Sequence, residues 1–302
     1  MTHRVLAVLF LAASLLGLPA NADAADKVKA VASFSILGDM VKQVGGDRIE
    51  LVTLVGPDGD AHVFEPTPAD AKTLANAQIL FVNGLGFEGW MDRLEKSSGF
   101  KGTTVVASNG VKARTMVEEE DGTAEEITDP HAWQSLANGK LYVANIRDGL
   151  IAVDPDGKAI YEANGAKYLD EIAAEDDAVK AALAKLPEDR RKIITSHDAF
   201  GYFGAAYGLK VIAPEGVSTE AEASAKDVAK IIRQIKGEHI PAVFMENISD
   251  PRMMEQLARE SGAQMGGRLY SDALSRTNGP AATYLLMMRY NVERLRDAMI
   301  AE

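Results

Sequence analysis

From Lys27 onward, short runs of β-branched and other apolar residues alternate with longer stretches whose apolar positions recur every three or four residues. That alternation predicts a parallel α/β architecture, because a strand buried on both faces reads as a continuous apolar run while each crossover helix shows one apolar face. Strands are expected at 28–36, 49–55, 79–83 and 103–107, with helices at 37–44 and 67–75. Thr67 is a suitable N-cap and Pro68 fits the first helical position. A second alternation predicts strands at 192–195, 211–213, 242–245 and 267–270, helices at 228–235 and 253–261, and a final helix at 281–298.

Between the two alternations the pattern changes. Residues 140–153 carry helical periodicity, and the break Asp154-Pro155-Asp156-Gly157 is followed by a stretch to Leu186 with a single glycine and no proline. Apolar positions there, including Ile160, Tyr168, Ile172, Val179 and Leu183, predict one long helix with a mainly charged surface, ended by Pro187. A continuous helix is a stiff spacer. The predicted architecture is therefore α/β: two parallel-sheet lobes, residues 25–153 and 188–302, joined by a long backbone helix within 154–187, with a cleft between them.

Residues 1–24 have a different composition. His3 and Arg4 precede an apolar run from Val5 to Ala20 broken only by small residues, and Ala20-Asn21-Ala22 and Ala22-Asp23-Ala24 offer small-x-small cleavage sites. This is the pattern of a secretory signal peptide, and the run falls short of the ~20 apolar residues of a membrane span. The sequence contains no cysteine. That excludes disulfides, thiolate metal sites and thiol nucleophiles, and it removes the residue on which a bacterial lipid anchor is built, so a protein free in the periplasm is expected. With 32 basic against 44 acidic residues the net charge is −12. Removing residues 1–24 leaves that balance unchanged, so the acidity belongs to the mature chain, which offers no surface for nucleic acid or for a polybasic membrane contact.

Apart from His3, the histidines are His62, His131, His197 and His239. His62 and His197 follow predicted strands, as does Asp272 in Leu269-Tyr270-Ser271-Asp272. In open parallel sheets, ligands bind beyond the carboxyl ends of strands, so loops at those ends converge on one crevice. His62, His131, His197 and Asp272 are thus candidate metal ligands in the cleft between lobes, two from each half of the chain. Three imidazoles and one carboxylate suit zinc foremost and manganese next. His239, ahead of a strand in Gly237-Glu238-His239-Ile240-Pro241, is expected to be structural and Trp133 to pack beside His131, while Glu246 is a candidate either to support a ligating imidazole from behind or to cap the turn that follows its strand.

Four segments taken in order carry a family resemblance: Asp60-Ala61-His62-Val63-Phe64-Glu65-Pro66-Thr67-Pro68, Asp129-Pro130-His131-Ala132-Trp133, Ser196-His197-Asp198-Ala199-Phe200-Gly201-Tyr202-Phe203, and Tyr270-Ser271-Asp272-Ala273-Leu274-Ser275. In these the chain resembles the zinc- and manganese-binding receptors of bacterial ABC importers across essentially its whole mature length. The resemblance implies a two-lobed receptor with a rigid backbone helix, expected to be a monomer, that hands its ion to a membrane permease, with His62, His131, His197 and Asp272 as ligands. The third ligand position is glutamate in many manganese receptors of that family; His197 stands there in this chain and softens the site toward zinc. Many zinc receptors carry a histidine-rich loop before the second ligand. Here Glu118-Glu119-Glu120-Asp121 and Glu125-Glu126 occupy that region, expected to be a solvated loop, and the choice between the two metals stays open.

Two other classes compete. A zinc hydrolase needs an open coordination position and a general base, and the sequence has no H-E-x-x-H helix. A structural or adhesive protein would hold its metal until it unfolded.

Overall fold

The computed structural model describes residues 26–120, 123–221 and 223–300; the predicted signal segment lies outside them. The first sheet is built from β1 (Val28–Phe34), β2 (Ile49–Val55), β3 (Ile79–Val82) and β4 (Thr103–Val106), in the order β2-β1-β3-β4 with every pairing parallel. Its crossovers are α1 (Ser35–Gly45), α2 (Pro68–Ala75) and α3 (Met91–Ser98). Helix α2 opens with Thr67 and Asp70 capping each other's backbone N–H groups. Helix α1 begins at Ser35, two residues before the predicted start, because β1 runs directly into it.

The second sheet has β7 (Lys192–Ile194), β8 (Lys210–Ile212), β9 (Ala242–Glu246) and β10 (Gln264–Leu269), again all parallel, in the order β10-β9-β7-β8. Its helices are α6 (Gly201–Tyr207), α7 (Ala225–Glu238), α8 (Arg252–Ser261) and α9 (Tyr284–Ile300). The acidic segment is not a loop. It forms an antiparallel hairpin, β5 (Arg114–Glu120) with β6 (Thr123–Asp129), in which Met116 pairs with Ile127 and Thr115 with Thr128. β-Branched and apolar residues at those positions supply the strand propensity that the charge count hides.

Helix α4 (Leu136–Val153) leads through the Pro155 turn into α5 (Lys158–Leu183), the backbone helix of 26 residues and about 39 Å at 1.5 Å per residue. The buried positions of α5 are Tyr161, Gly165, Tyr168, Ile172, Glu175, Asp176, Val179 and Leu183, a three-four spacing that lays one face on α1, α4 and α9. Arg48 fixes the start of this helix pair, donating from Nε and Nη2 to Asp154 at 2.8 Å each. The main hydrophobic core runs continuously from Val28 through Trp133, Ile172, Phe203 and Phe244 to Met299, so it crosses from one lobe into the other. A smaller cluster of Ile194, Ile231, Ile235, Ile240, Val243, Met254 and Leu257 lies apart from it, under α7 and α8. Shared packing of this kind resists wholesale separation of the lobes.

Candidate metal centre

All four predicted ligands follow the carboxyl ends of strands: His62 after β2, His131 after β6, His197 after β7 and Asp272 after β10. Each loop is held by its own hydrogen bonds. Asp60 Oδ1 accepts the His62 backbone N–H at 2.9 Å, and Asp129 Oδ1 accepts that of His131 at 3.0 Å. In both segments an aspartate two residues ahead of the histidine bends the chain in an Asx turn, a signal the sequence carries as Asp-x-His. The His197 N–H donates at 3.0 Å to Oε1 of Glu246, the last residue of β9. The Asp272 loop is gripped from the other half of the chain, with Ser271 O accepting from Trp133 Nε1 at 3.0 Å and from Gln134 Nε2 at 2.7 Å.

These loops bring one ligand atom from each of His62, His131, His197 and Asp272 within 4.8 Å of one another. Asp272 Oδ2 stands 3.0 Å from His197 Nε2, 3.3 Å from His62 Nε2 and 3.6 Å from His131 Nε2. The Nε2 atoms of His62 and His131 are 3.3 Å apart. A tetrahedron around a metal with bonds of about 2.0–2.1 Å has edges of about 3.3–3.4 Å. These four spacings scatter around that edge. Asp272 Oδ1 is buried without a hydrogen-bond partner, which leaves the carboxylate a second acceptor in a nest of imidazoles. His131, His197 and Asp272 are 0% exposed, whereas His62 is 8% exposed and closes the site toward solvent.

Carboxylates behind the imidazoles set their orientation. Asp129 Oδ1 lies 3.0 Å from His131 Nδ1, and Glu246 Oε2 lies 2.7 Å from His197 Nδ1, the latter close but not aligned as a hydrogen bond. Both contacts turn Nε2 toward the centre, the usual arrangement behind a metal-binding histidine. Burial disfavours an imidazolium at His131, but the charge of Asp272 and the bond to Asp129 outweigh it and lift its pKa to about 9. His197 follows the same balance, with burial opposed by Glu246 and Asp272, and lies well above the ordinary histidine value. At His62 burial wins and lowers the pKa. Burial opposes ionisation of Asp272 too, yet His131 and His197 hold its pKa well below the usual carboxylate range. Two imidazolium protons here face three carboxylates, Asp272, Asp129 and Glu246. A divalent cation would replace both protons without changing the charge of the cluster.

The remaining candidates separate cleanly. His239 is exposed and ends α7 in the left-handed conformation, outside the cluster. Trp133 is fully buried against Phe34, Phe87 and the His131 ring. Of the two roles open to Glu246, its side chain takes the one behind His197. The roles of Asp60 and Asp129 were not anticipated from the sequence, nor was Tyr202 of α6, whose hydroxyl accepts from the Arg114 N–H at 2.9 Å and donates to Asp129 O at 3.1 Å, tying the hairpin to the second lobe.

Known proteins share this fold and much of this sequence. The manganese-binding lipoprotein MntA of Halalkalibacterium halodurans is 33% identical over 266 residues, covering 88% of this chain and 86% of its own. The solved structure of the Mn-bound periplasmic metal binding protein from candidatus Liberibacter asiaticus superposes with a TM-score of 0.81 at 30% identity, over 91% of this chain and 100% of that one. The periplasmic zinc binding protein TroA from Treponema pallidum gives a TM-score of 0.85 at 28% identity, with the same coverage of both chains. The pattern of the family described as ZnuA, zinc-uptake complex component A, periplasmic, matches residues 30–298. Fold, ligand-loop placement and a sequence match along nearly the whole described chain lead to one assignment: the protein belongs to the ZnuA family.

Proposed function

We propose that the protein is an extracytoplasmic solute-binding protein that captures one divalent transition-metal ion with His62, His131, His197 and Asp272 and delivers it to the permease of an ABC importer. Zinc is the first assignment and manganese the second. The observation that carries this reading is the set of ligand spacings near a tetrahedral edge, formed by three imidazoles and one carboxylate, all at the ends of strands. Manganese is favoured by one feature, the unpartnered Asp272 Oδ1, which offers a second oxygen to an ion that accepts more than four ligands.

Capture proceeds by local movement of the ligand loops with modest tilting of the units 25–153 and 188–302 about the connector 154–187, because the shared core opposes a wide hinge. Relatives such as MntA are named lipoproteins. This sequence has no cysteine to acylate, and our reading is of a monomer working in the periplasm behind the leader 1–24. Four protein ligands close the coordination sphere that a zinc hydrolase would leave open. An ion exchanged reversibly by the folded protein separates transport from a structural or adhesive role.

The test is elemental analysis of protein purified without added metal, followed by zinc and manganese titrations of wild type, His197→Ala and His239→Ala. One ion per chain and a loss of affinity by orders of magnitude in His197→Ala alone are expected. Equal effects of the two substitutions would overturn the ligand assignment.

A further inference from the structure

The loop that carries His62 is fastened to the opposite lobe at two points. Asp60 divides its carboxylate: Oδ1 accepts the His62 N–H at 2.9 Å, and Oδ2 accepts the hydroxyl of Thr219 at 2.6 Å. Thr219 belongs to the loop after β8, and that loop moves with the His197 segment through Asp198 N–H to Gly216 O at 2.9 Å and Glu215 N–H to Ser196 O at 3.3 Å. The second fastening is at Asp58, in the left-handed conformation, whose N–H donates to Leu274 O at 2.9 Å. Asn247 Nδ2 reaches both Asp58 Oδ1 and Ala273 O at 3.2 Å, which binds the same loop to the Asp272 segment.

Residues 56–62 therefore form a strap across the cleft, with one leg on each ligand-bearing loop of the second lobe. His62 is the ligand nearest solvent, so an ion leaving the site passes by displacement of this strap. The two legs differ in how they hold. Asp58 is secured through a backbone pair and Asn247, whereas the Asp60 leg reaches the second lobe through the Thr219 hydroxyl. Because the other oxygen of the same carboxylate fixes the His62 backbone, loss of the Thr219 contact frees the ligand as well as the gate.

Resting on the metal-binding function proposed above, we infer that Thr219 is a positioning residue whose hydrogen bond to Asp60 latches the His62 strap and sets the lifetime of the bound ion. Dissociation begins when this bond opens. Ion capture, governed by encounter with the open site, depends on it far less.

The experiment is chelator-driven zinc release followed by stopped flow, with zinc association measured alongside, on full-length wild type, Thr219→Val and Thr219→Ser. Valine keeps the shape and removes the hydroxyl; serine restores it. A hydrogen bond to a charged acceptor at a half-exposed site gives an expected rise in release rate of about tenfold for Thr219→Val. Its association rate should stay within about twofold of wild type, and Thr219→Ser should release at the wild-type rate within the same margin. Unchanged release in Thr219→Val, or release as fast in Thr219→Ser as in Thr219→Val, would overturn the latch. Failure of wild type to take up zinc stoichiometrically is a different result, and it would remove the metal-binding function itself.

Discussion

Metal capture by this site should release about two protons at neutral pH, although its ligands are histidines that are mostly neutral there when free. The perturbation is a change of pH across 6.5–9 with zinc as the titrant. In the metal-free cluster Asp272 and Asp129 raise His131 to about 9, while Glu246 and Asp272 raise His197 well above its ordinary value. Zinc needs both rings deprotonated at Nε2. A pH of about 7 lies about two units below the His131 pKa, so displacing that proton lowers zinc affinity by about a hundredfold from this residue alone. His197 adds a second proton. His62, lowered by burial, contributes none, and Asp272 is already ionised. Apparent affinity should therefore climb about a hundredfold per pH unit between about pH 7 and 8, with two protons exchanged per ion. Isothermal titration at about pH 7.5 in two buffers of different ionisation enthalpy reads the proton count directly. Unperturbed imidazoles near pKa 6.5 would release almost none under those conditions. A count below about half a proton, with affinity flat above pH 7, would refute the coupling between these rings and their carboxylates.

The raised His131 pKa contributes stability to the metal-free protein that is whole below about 6.5 and lost as pH rises through about 9. The melting temperature of the metal-free protein should accordingly fall across that window while that of the zinc-loaded protein stays level; parallel curves would argue against it. Glu246→Gln keeps the hydrogen bond from the His197 N–H but removes the charge beside Nδ1, and should weaken zinc binding about 10–100-fold with an unchanged circular dichroism spectrum. Gly204→Ala would place a Cβ 2.6 Å from the Leu209 carbonyl oxygen, a backbone atom with little room to move, and should cost about 1–3 kcal/mol in urea denaturation. Gly237→Ala in α7 meets nothing within 4 Å and should instead stabilise by about 0.5–1 kcal/mol.

The two sheets and the backbone helix were legible because their signals are local and periodic. Val28 to Phe34 is apolar but for Lys29 and Ser33, Thr67-Pro68 is a cap, and the buried positions of α5 repeat at helical spacing. Short or charged elements were not legible. Helices α3 and α6 are eight and seven residues long, and α6 opens on Gly201, so propensity gave little warning of them. The hairpin β5-β6 was read as a loop because its carboxylates outweigh, in a charge count, the paired Thr115 and Thr128 and the paired Met116 and Ile127.

Residue chemistry and strand-loop periodicity, both written along the chain, were enough to name four candidate ligands in order and to put His62, His197 and Asp272 at the ends of strands. What stands behind and across from those candidates was settled by tertiary packing. Asp129 beside His131, Glu246 beside His197, and Thr219 against Asp60 are set by how strands and loops from distant parts of the chain come together in space. Those neighbours, at a few ångströms in a dry cleft, decide whether an imidazole holds its proton at neutral pH and how firmly the cleft stays shut, because electrostatic and hydrogen-bond energies depend on distance and burial rather than on spacing along the chain.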